Sequence, residues 1–218
     1  MSADVRKDST MSVPKLTFRL ATPDDAPFVA PFMYDIARRD LDPLFTGLAA
    51  RLSPLDIIER FYRAPGGMFS CRNTEIALHD GLPAGFITAY SVASRNGSSA
   101  WLVRAAGQLG AHALVRLAWR GVVVARALQR NLSGSWFIAF VGVDSLQQSL
   151  GIGSSLIARS IQRARASGCS CVELDVDVDN PRAQALYERI GFHVLHADRR
   201  TASSIMVESR RMVLQLPP

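Results

Sequence analysis

Residues Trp136 to Leu156 read WFIAFVGVDSLQQSLGIGSSL, and this stretch decides the fold. Its opening run, Trp136 to Val143, is rich in β-branched and aromatic residues and has the composition of a buried strand. A short polar link leads to Gln148-Ser-Leu-Gly151-Ile-Gly153, a Q-x-x-G-x-G sequence, and then to an apolar-periodic segment from Leu156 to Ala166. Strand, glycine turn and helix in that order present backbone NH groups at a helix N-terminus, where they and the helix dipole attract an anion. A side chain at Gly151 or Gly153 would hinder the approach of a phosphate to the backbone. The expected ligand is therefore a phosphate or pyrophosphate.

Further along lies Asn180-Pro-Arg-Ala183-Gln-Ala-Leu186-Tyr187-Glu-Arg-Ile-Gly191-Phe192, an N-x-x-A-x-x-L-Y-x-x-x-G-F pattern. Together the two stretches resemble the acetyl-CoA-binding core of the GNAT N-acetyltransferase superfamily, in its order and at about its usual separation. The resemblance is densest from Trp136 to Phe192 and extends weakly back to about Leu16. It implies an acyl-CoA-dependent N-acyltransferase that moves acetyl from acetyl-CoA to a primary amine by direct attack. The backbone of Gly142 and Val143, with Val141 beside them, would pair with the amides of the pantetheine arm. The backbone at Gln148, Ser149, Gly151 and Gly153, with Ser154, would hold the pyrophosphate. Asn180 would hydrogen-bond the cofactor arm, with Ala183 in the same binding set, and Tyr187 would protonate the departing thiolate. Gln148 stands where the family has Gln or Arg, so that position supplies no cation. Read from the residues alone, Tyr187 is equally a half-buried helix aromatic and Asn180 equally an N-cap for a helix starting at Pro181.

The chain of 218 residues, 48% hydrophobic, is long enough for one domain with a full core. Its three cysteines are odd in number, and Cys169 and Cys171 are two apart, which suits small buried residues better than a disulfide or a metal site. A reducing, cytoplasmic compartment is expected. Residues 1–14 should form a mobile tail and residues 15–218 the acyltransferase domain. No residue set has zinc-ligand spacing. The net charge of +6 is localised: Arg95, Arg104, Arg116, Arg120, Arg126 and Arg130 lie between Ser94 and Gly134, a stretch without Asp or Glu. Outside that stretch the basic residues balance the 19 acidic ones.

In chain order, Leu16 to Ala21 predicts a first strand. Thr22-Pro-Asp-Asp25 opens a helix running to about Arg38, and Ser53-Pro-Leu-Asp56 opens a second that ends before Pro65. Thr74 to His79 and Leu82 to Val92 flank Asp80-Gly81 and predict a hairpin, with Gly85 marking a bulge or a close backbone approach. After the fourth strand and its helix come a strand at Ser170 to Val178, a helix at Ala183 to Ile190, and strands at Phe192 to His196 and Arg211 to Leu216. The fold class is α/β: a GNAT-like mixed, mostly antiparallel sheet of about seven strands with helices on both faces. A basic helical insertion, 94–134, separates the third and fourth strands and departs from the family pattern.

That insertion lies beside the groove where an acceptor should enter. As a lid its arginines would favour an anionic acceptor, either a small molecule or a peptide. As a solvated face it would cover extra core or a homodimer contact. As a cationic, Trp-flanked amphipathic segment, 101–130 would make peripheral membrane contact. The last use belongs to the alternative reading, a non-catalytic acyl-CoA-binding sensor or membrane-surface protein. No nucleic-acid recognition motif accompanies the arginines. The general base is open: Asp144 follows the organising strand, Glu173, Asp175 and Asp177 form a row on the next one, and His79 and His112 are candidates because histidine is the residue type suited to proton transfer near neutrality.

Overall fold

A computed structural model gives the arrangement and describes residues 15–47, 52–95, 132–202 and 205–217. The expected tail at 1–14 lies outside the described residues. So do residues 96–131, and with them the lid, dimer and membrane readings of the insertion and His112.

Seven strands build one sheet in the order β1-β2-β3-β4-β5-β7-β6. They are β1 (Leu16–Leu20), β2 (Thr74–His79), β3 (Leu82–Ser91), β4 (Ser135–Val143), β5 (Cys171–Asp177), β6 (His193–Ala202) and β7 (Ile205–Gln215). The helices are α1 (Ala26–Phe45), α2 (Pro54–Arg63), the single turn α3 (Val92–Arg95), α4 (Ile152–Ala166) and α5 (Pro181–Ile190). Every strand pairing is antiparallel except β4 with β5. None of the described helices is long and apolar enough to cross a membrane.

Helices cover both faces because the strands alternate. Ile76, Phe86 and Phe140 pack with α1 and α2, including Ile57, Ile58, Phe61 and Tyr62, whose spacing puts one face of α2 wholly inside. Ala77, Ile87, Trp136, Ile138, Val172, Leu174 and Val176 pack on the other face with α4. Val172, Leu174 and Val176 thus share one face of β5, opposite the row of Glu173, Asp175 and Asp177. The β2–β3 ladder shifts register between Ala77 and Leu78, beside Gly85, which is the bulge anticipated there.

Three boundaries differ from the sequence reading. Helix α1 continues to Phe45, and Ala37, with φ −111° and ψ 15°, marks a kink where the sequence pattern stops. The helix resumes because Leu41 and Phe45, four apart, are buried in the α1–α2 core. Strands β6 and β7 form a hairpin much longer than 192–196 and 211–216. Residues 197–208, ADRRTASSIMVE, lack a clean period of two, and cross-strand pairing from Arg199↔Glu208 to Ala202↔Ile205 carries 199–202 and 205–208 instead.

One feature of the sheet positions the site. The parallel β4–β5 ladder runs from Ser135↔Cys171 to Ile138↔Leu174 and stops there. At that level β4 bulges against β3, between the pairs Ala89↔Ile138 and Thr88↔Phe140, which turns the strand. Beyond it, β4 keeps β3 as its strand neighbour and β5 keeps β7. The sheet thus opens into a wedge between the C-terminal halves of its two parallel strands.

Candidate active site

The loop from β4 to α4 is built to leave backbone donors free. Asp144 accepts from Leu146 N at 2.8 Å and starts a tight turn over Ser145–Gln147. His79 Nδ1 and Gln147 Oε1, 2.6 Å apart, tie that turn to the end of β2. Ser149 and Gly151 then both adopt left-handed backbone, φ 68° and 76°. For the L-residue this conformation costs about 1–2 kcal/mol, whereas Gly151 takes it without penalty. Gly151 is also the N-cap of α4 and has no side chain to offer. The first intrahelical bond is Ser155 N to Gly151 O at 2.9 Å. The NH groups of Ile152, Gly153 and Ser154 precede it, and no described residue accepts from them. By contrast Ser53 Oγ caps α2 through Asp56 N, and Asn180 Oδ1 caps α5 through Ala183 N at 3.0 Å. Alternating backbone hand followed by an uncapped helix start makes a concave set of donors suited to a phosphate.

The wedge adjoins this cradle. Asp144 N donates to Ala84 O at 2.9 Å, so the pairing at that level is the hydrogen-bonded kind. Because direction alternates along an antiparallel ladder, Gly142 also turns its peptide groups to β3, while those of Val141 and Val143 face the opening toward β5. Val141 and Val143 are the strand residues that an extended arm could pair with. Gly142 has a different reason to be glycine: a Cβ there would run into the ring of Phe86, which is fully buried.

Helix α5 closes the third side. A Cβ on Gly153 would lie 3.6 Å from Val143 Cγ2 and 3.9 Å from Leu186 Cδ2, so the α4 start, the β4 end and α5 converge. Asn180 takes the N-cap role, which uses its Oδ1 and the NH of Ala183 and leaves its own NH2 to meet a ligand. Tyr187 is half-buried beside Phe192, ring centroids 5.9 Å apart in edge-to-face geometry. Burial pushes its hydroxyl up to about 12, so it carries its proton at neutral pH. Arg182 was not singled out by the sequence reading. Its guanidinium donates to Gln148 Oε1 and to Ser149 Oγ, both at 3.2 Å, and so lies on the cradle itself. The signal available in the sequence was the position of Arg182 in the first turn of the helix carrying Tyr187.

The carboxylates considered as bases all have structural partners. Glu173 is fully buried; it accepts from Arg211 Nη1 at 2.8 Å and from Leu132 N at 2.7 Å. Asp175 binds the same guanidinium at 2.5 and 3.0 Å. Asp177 and Asp179 meet Arg39 of α1 at 3.4 and 3.0 Å. Asp144 is held by Leu146 N. Among the described residues, no group of three or more His, Cys, Asp or Glu is placed to hold a metal ion.

A family model described as the acetyltransferase (GNAT) family matches residues 31–192. A mycothiol acetyltransferase of Kocuria rhizophila is 47% identical over 58 residues, 27% of this chain and 19% of that protein, so the match spans about a fifth of the relative. The fold of an N-acetyltransferase from Staphylococcus aureus Mu50 superposes with a TM-score of 0.64 at 17% identity, covering 91% of this chain and 100% of the other. An acetyltransferase from Salmonella typhimurium, solved with its cofactor acetyl-CoA, gives 0.54 at 16% identity, covering 94% and 95%. With the wedge, the glycine cradle and a family match over most of its length, the chain belongs to the acetyltransferase (GNAT) family.

Proposed function

We propose that the protein is an N-acetyltransferase that transfers acetyl from acetyl-CoA to a primary amine by direct attack. The observation that carries this reading is the uncapped start of α4, set against an open β4–β5 wedge and the helix bearing Tyr187. When bound, the donor supplies an activated thioester. The NH groups of Ile152, Gly153 and Ser154 and the backbone of Gln148, Ser149 and Gly151 would hold its pyrophosphate. Val141 and Val143 would pair with its pantetheine arm, and the Asn180 NH2 would reach the same arm. Holding both reactants in line supplies the largest share of the rate, up to about 7–11 kcal/mol. Tyr187 would give its proton to the departing sulfur as the amine takes up the acetyl group, and would regain a proton from water. The acceptor attacks as the free amine and gives its remaining extra proton to water, since the nearby carboxylates already have partners. Three free, buried cysteines fit a reducing, cytoplasmic setting.

Gly151→Glu tests the cradle. A side chain at φ 76° is strained and adds a negative charge where a phosphate should sit. Strain of about 1–2 kcal/mol together with that charge should weaken CoA binding roughly tenfold or more, 1.4 kcal/mol being a factor of ten. Calorimetric affinity equal to wild type would remove the phosphate from this loop.

The acceptor is proposed to be anionic, a carboxylate-bearing amine or peptide, on the strength of the arginines in 94–134. Replacing Arg116 and Arg120 by Gln should raise KM for such an acceptor relative to a neutral amine by roughly threefold, the scale of exposed charge pairs. An unchanged ranking of acceptors would end that assignment.

A further inference from the structure

The sequence reading left the phosphate cradle without a cation, because Gln148 stands where the family has Gln or Arg. The structure brings a cation there from another element. Arg182, in the first turn of α5, reaches back across the loop to Gln148 Oε1 and Ser149 Oγ. Both partners are neutral, and Arg182 makes no ion pair among the described residues. Arg39, Arg159 and Arg211 each meet a carboxylate, whereas Arg182, like Arg210 on Gln184, is held by neutral side chains. A guanidinium held by two neutral oxygens keeps its full charge and has further NH groups to donate, since it carries five. It is held on the left-handed Ser149, two residues before Gly151, the N-cap of α4.

We infer that Arg182 is the cationic clamp of the donor's pyrophosphate, a role this chain assigns to α5 rather than to the Q-x-x-G-x-G loop. The inference rests on the cradle reading above. Gln148 and Ser149 then serve as guides: their side chains fix the planar fork over the loop, while their backbone remains free for the anion. A planar, forked cation suits phosphate oxygens, which it can meet with two parallel hydrogen bonds. The clamp also joins the helix that carries Tyr187 to the loop that holds the phosphates, so filling the cradle would fix α5 against the wedge.

The test is calorimetric titration of the full chain with CoA and with 3′-dephospho-CoA, for wild type, Arg182→Gln, Arg182→Lys and Gly151→Glu. Arg182 is exposed, so its variants should melt with wild type, and the melting curve is recorded for each. The expected result is a loss of roughly tenfold or more for Arg182→Gln with both ligands, the scale of a hydrogen bond to a charged group. Arg182→Lys should recover part of it, keeping the charge without the fork. A loss with CoA that vanishes with 3′-dephospho-CoA would place Arg182 on the 3′-phosphate and overturn the pyrophosphate assignment. Arg182→Gln binding both ligands within twofold of wild type, while Gly151→Glu binds poorly, would overturn the clamp and keep the cradle. If Gly151→Glu also binds as wild type, the cradle reading itself fails and the clamp with it.

Discussion

Arg211→Met is expected to destabilise the protein by about 3–5 kcal/mol, the cost of removing one partner from a buried ion cluster. Arg211 is fully buried on β7 and joins two carboxylates of β5, with Glu173 itself fully buried. Its guanidinium also lies over the Phe137 ring of β4, 5.4 Å from the centroid. Without the cation, Glu173 is left charged in the interior beside the partly exposed Asp175. At about 2–4 °C per kcal/mol for a chain of this size, the melting temperature should fall by roughly 10 °C. The consequence reaches the site, because Glu173 also accepts from Leu132 N, three residues before β4. The cluster therefore sets β4 against β5 at the closed end of the wedge. A triple change, Arg211→Met with Glu173→Leu and Asp175→Asn, removes the charges together and should recover most of the loss. Arg211→Met melting within 2 °C of wild type would show that the cluster does not hold the two strands.

Tyr187→Phe should lower kcat by about 10²-fold or more, within the range of general-acid catalysis, and leave CoA affinity within twofold. The ring stays in place: its contact with Phe192 and its packing under α5 need no hydroxyl. The proton is what is lost. Burial raises the hydroxyl to about 12, so in wild type it remains protonated throughout the ordinary working range. The sign follows. Activity should rise with pH as the acceptor amine loses its proton, and Tyr187 should add no descending limb below about pH 11. A fall in CoA affinity that matches the fall in kcat would make Tyr187 a binding residue. A clear descending limb near pH 8 or 9 that disappears in the Phe variant would mean that its hydroxyl titrates far below the value its burial sets.

Much of this was legible in the chain. Trp136 to Leu156 reads as strand, turn and helix because each part has its own local signature, apolar content, glycine and a helical period. The structure follows it as β4, loop and α4. The capping signals at Ser53 and Asn180 are likewise local, and both side chains cap. What escaped the sequence depends on partners far along the chain. Strands β6 and β7 hold together by pairing rather than by alternation. The row Glu173, Asp175 and Asp177 reads as a solvated or catalytic face until Arg211 and Arg39 arrive from β7 and α1. Which of Val141, Gly142 and Val143 turns its backbone to the wedge is a matter of register with β3, which composition does not carry. Arg182 belongs to the same class: its place in the first turn of α5 is local, but its reach of 33 positions back to Ser149 is not.

The most direct test of the central claim is release of free thiol from acetyl-CoA in the presence of a panel of amines, amino acids, polyamines and peptides, with the acetylated product identified by mass. Amine-dependent thiol release in one-to-one ratio with N-acetylated product is expected, strongest for a carboxylate-bearing acceptor and nearly lost in Gly151→Glu. CoA binding without thiol release on any amine in the panel would contradict it.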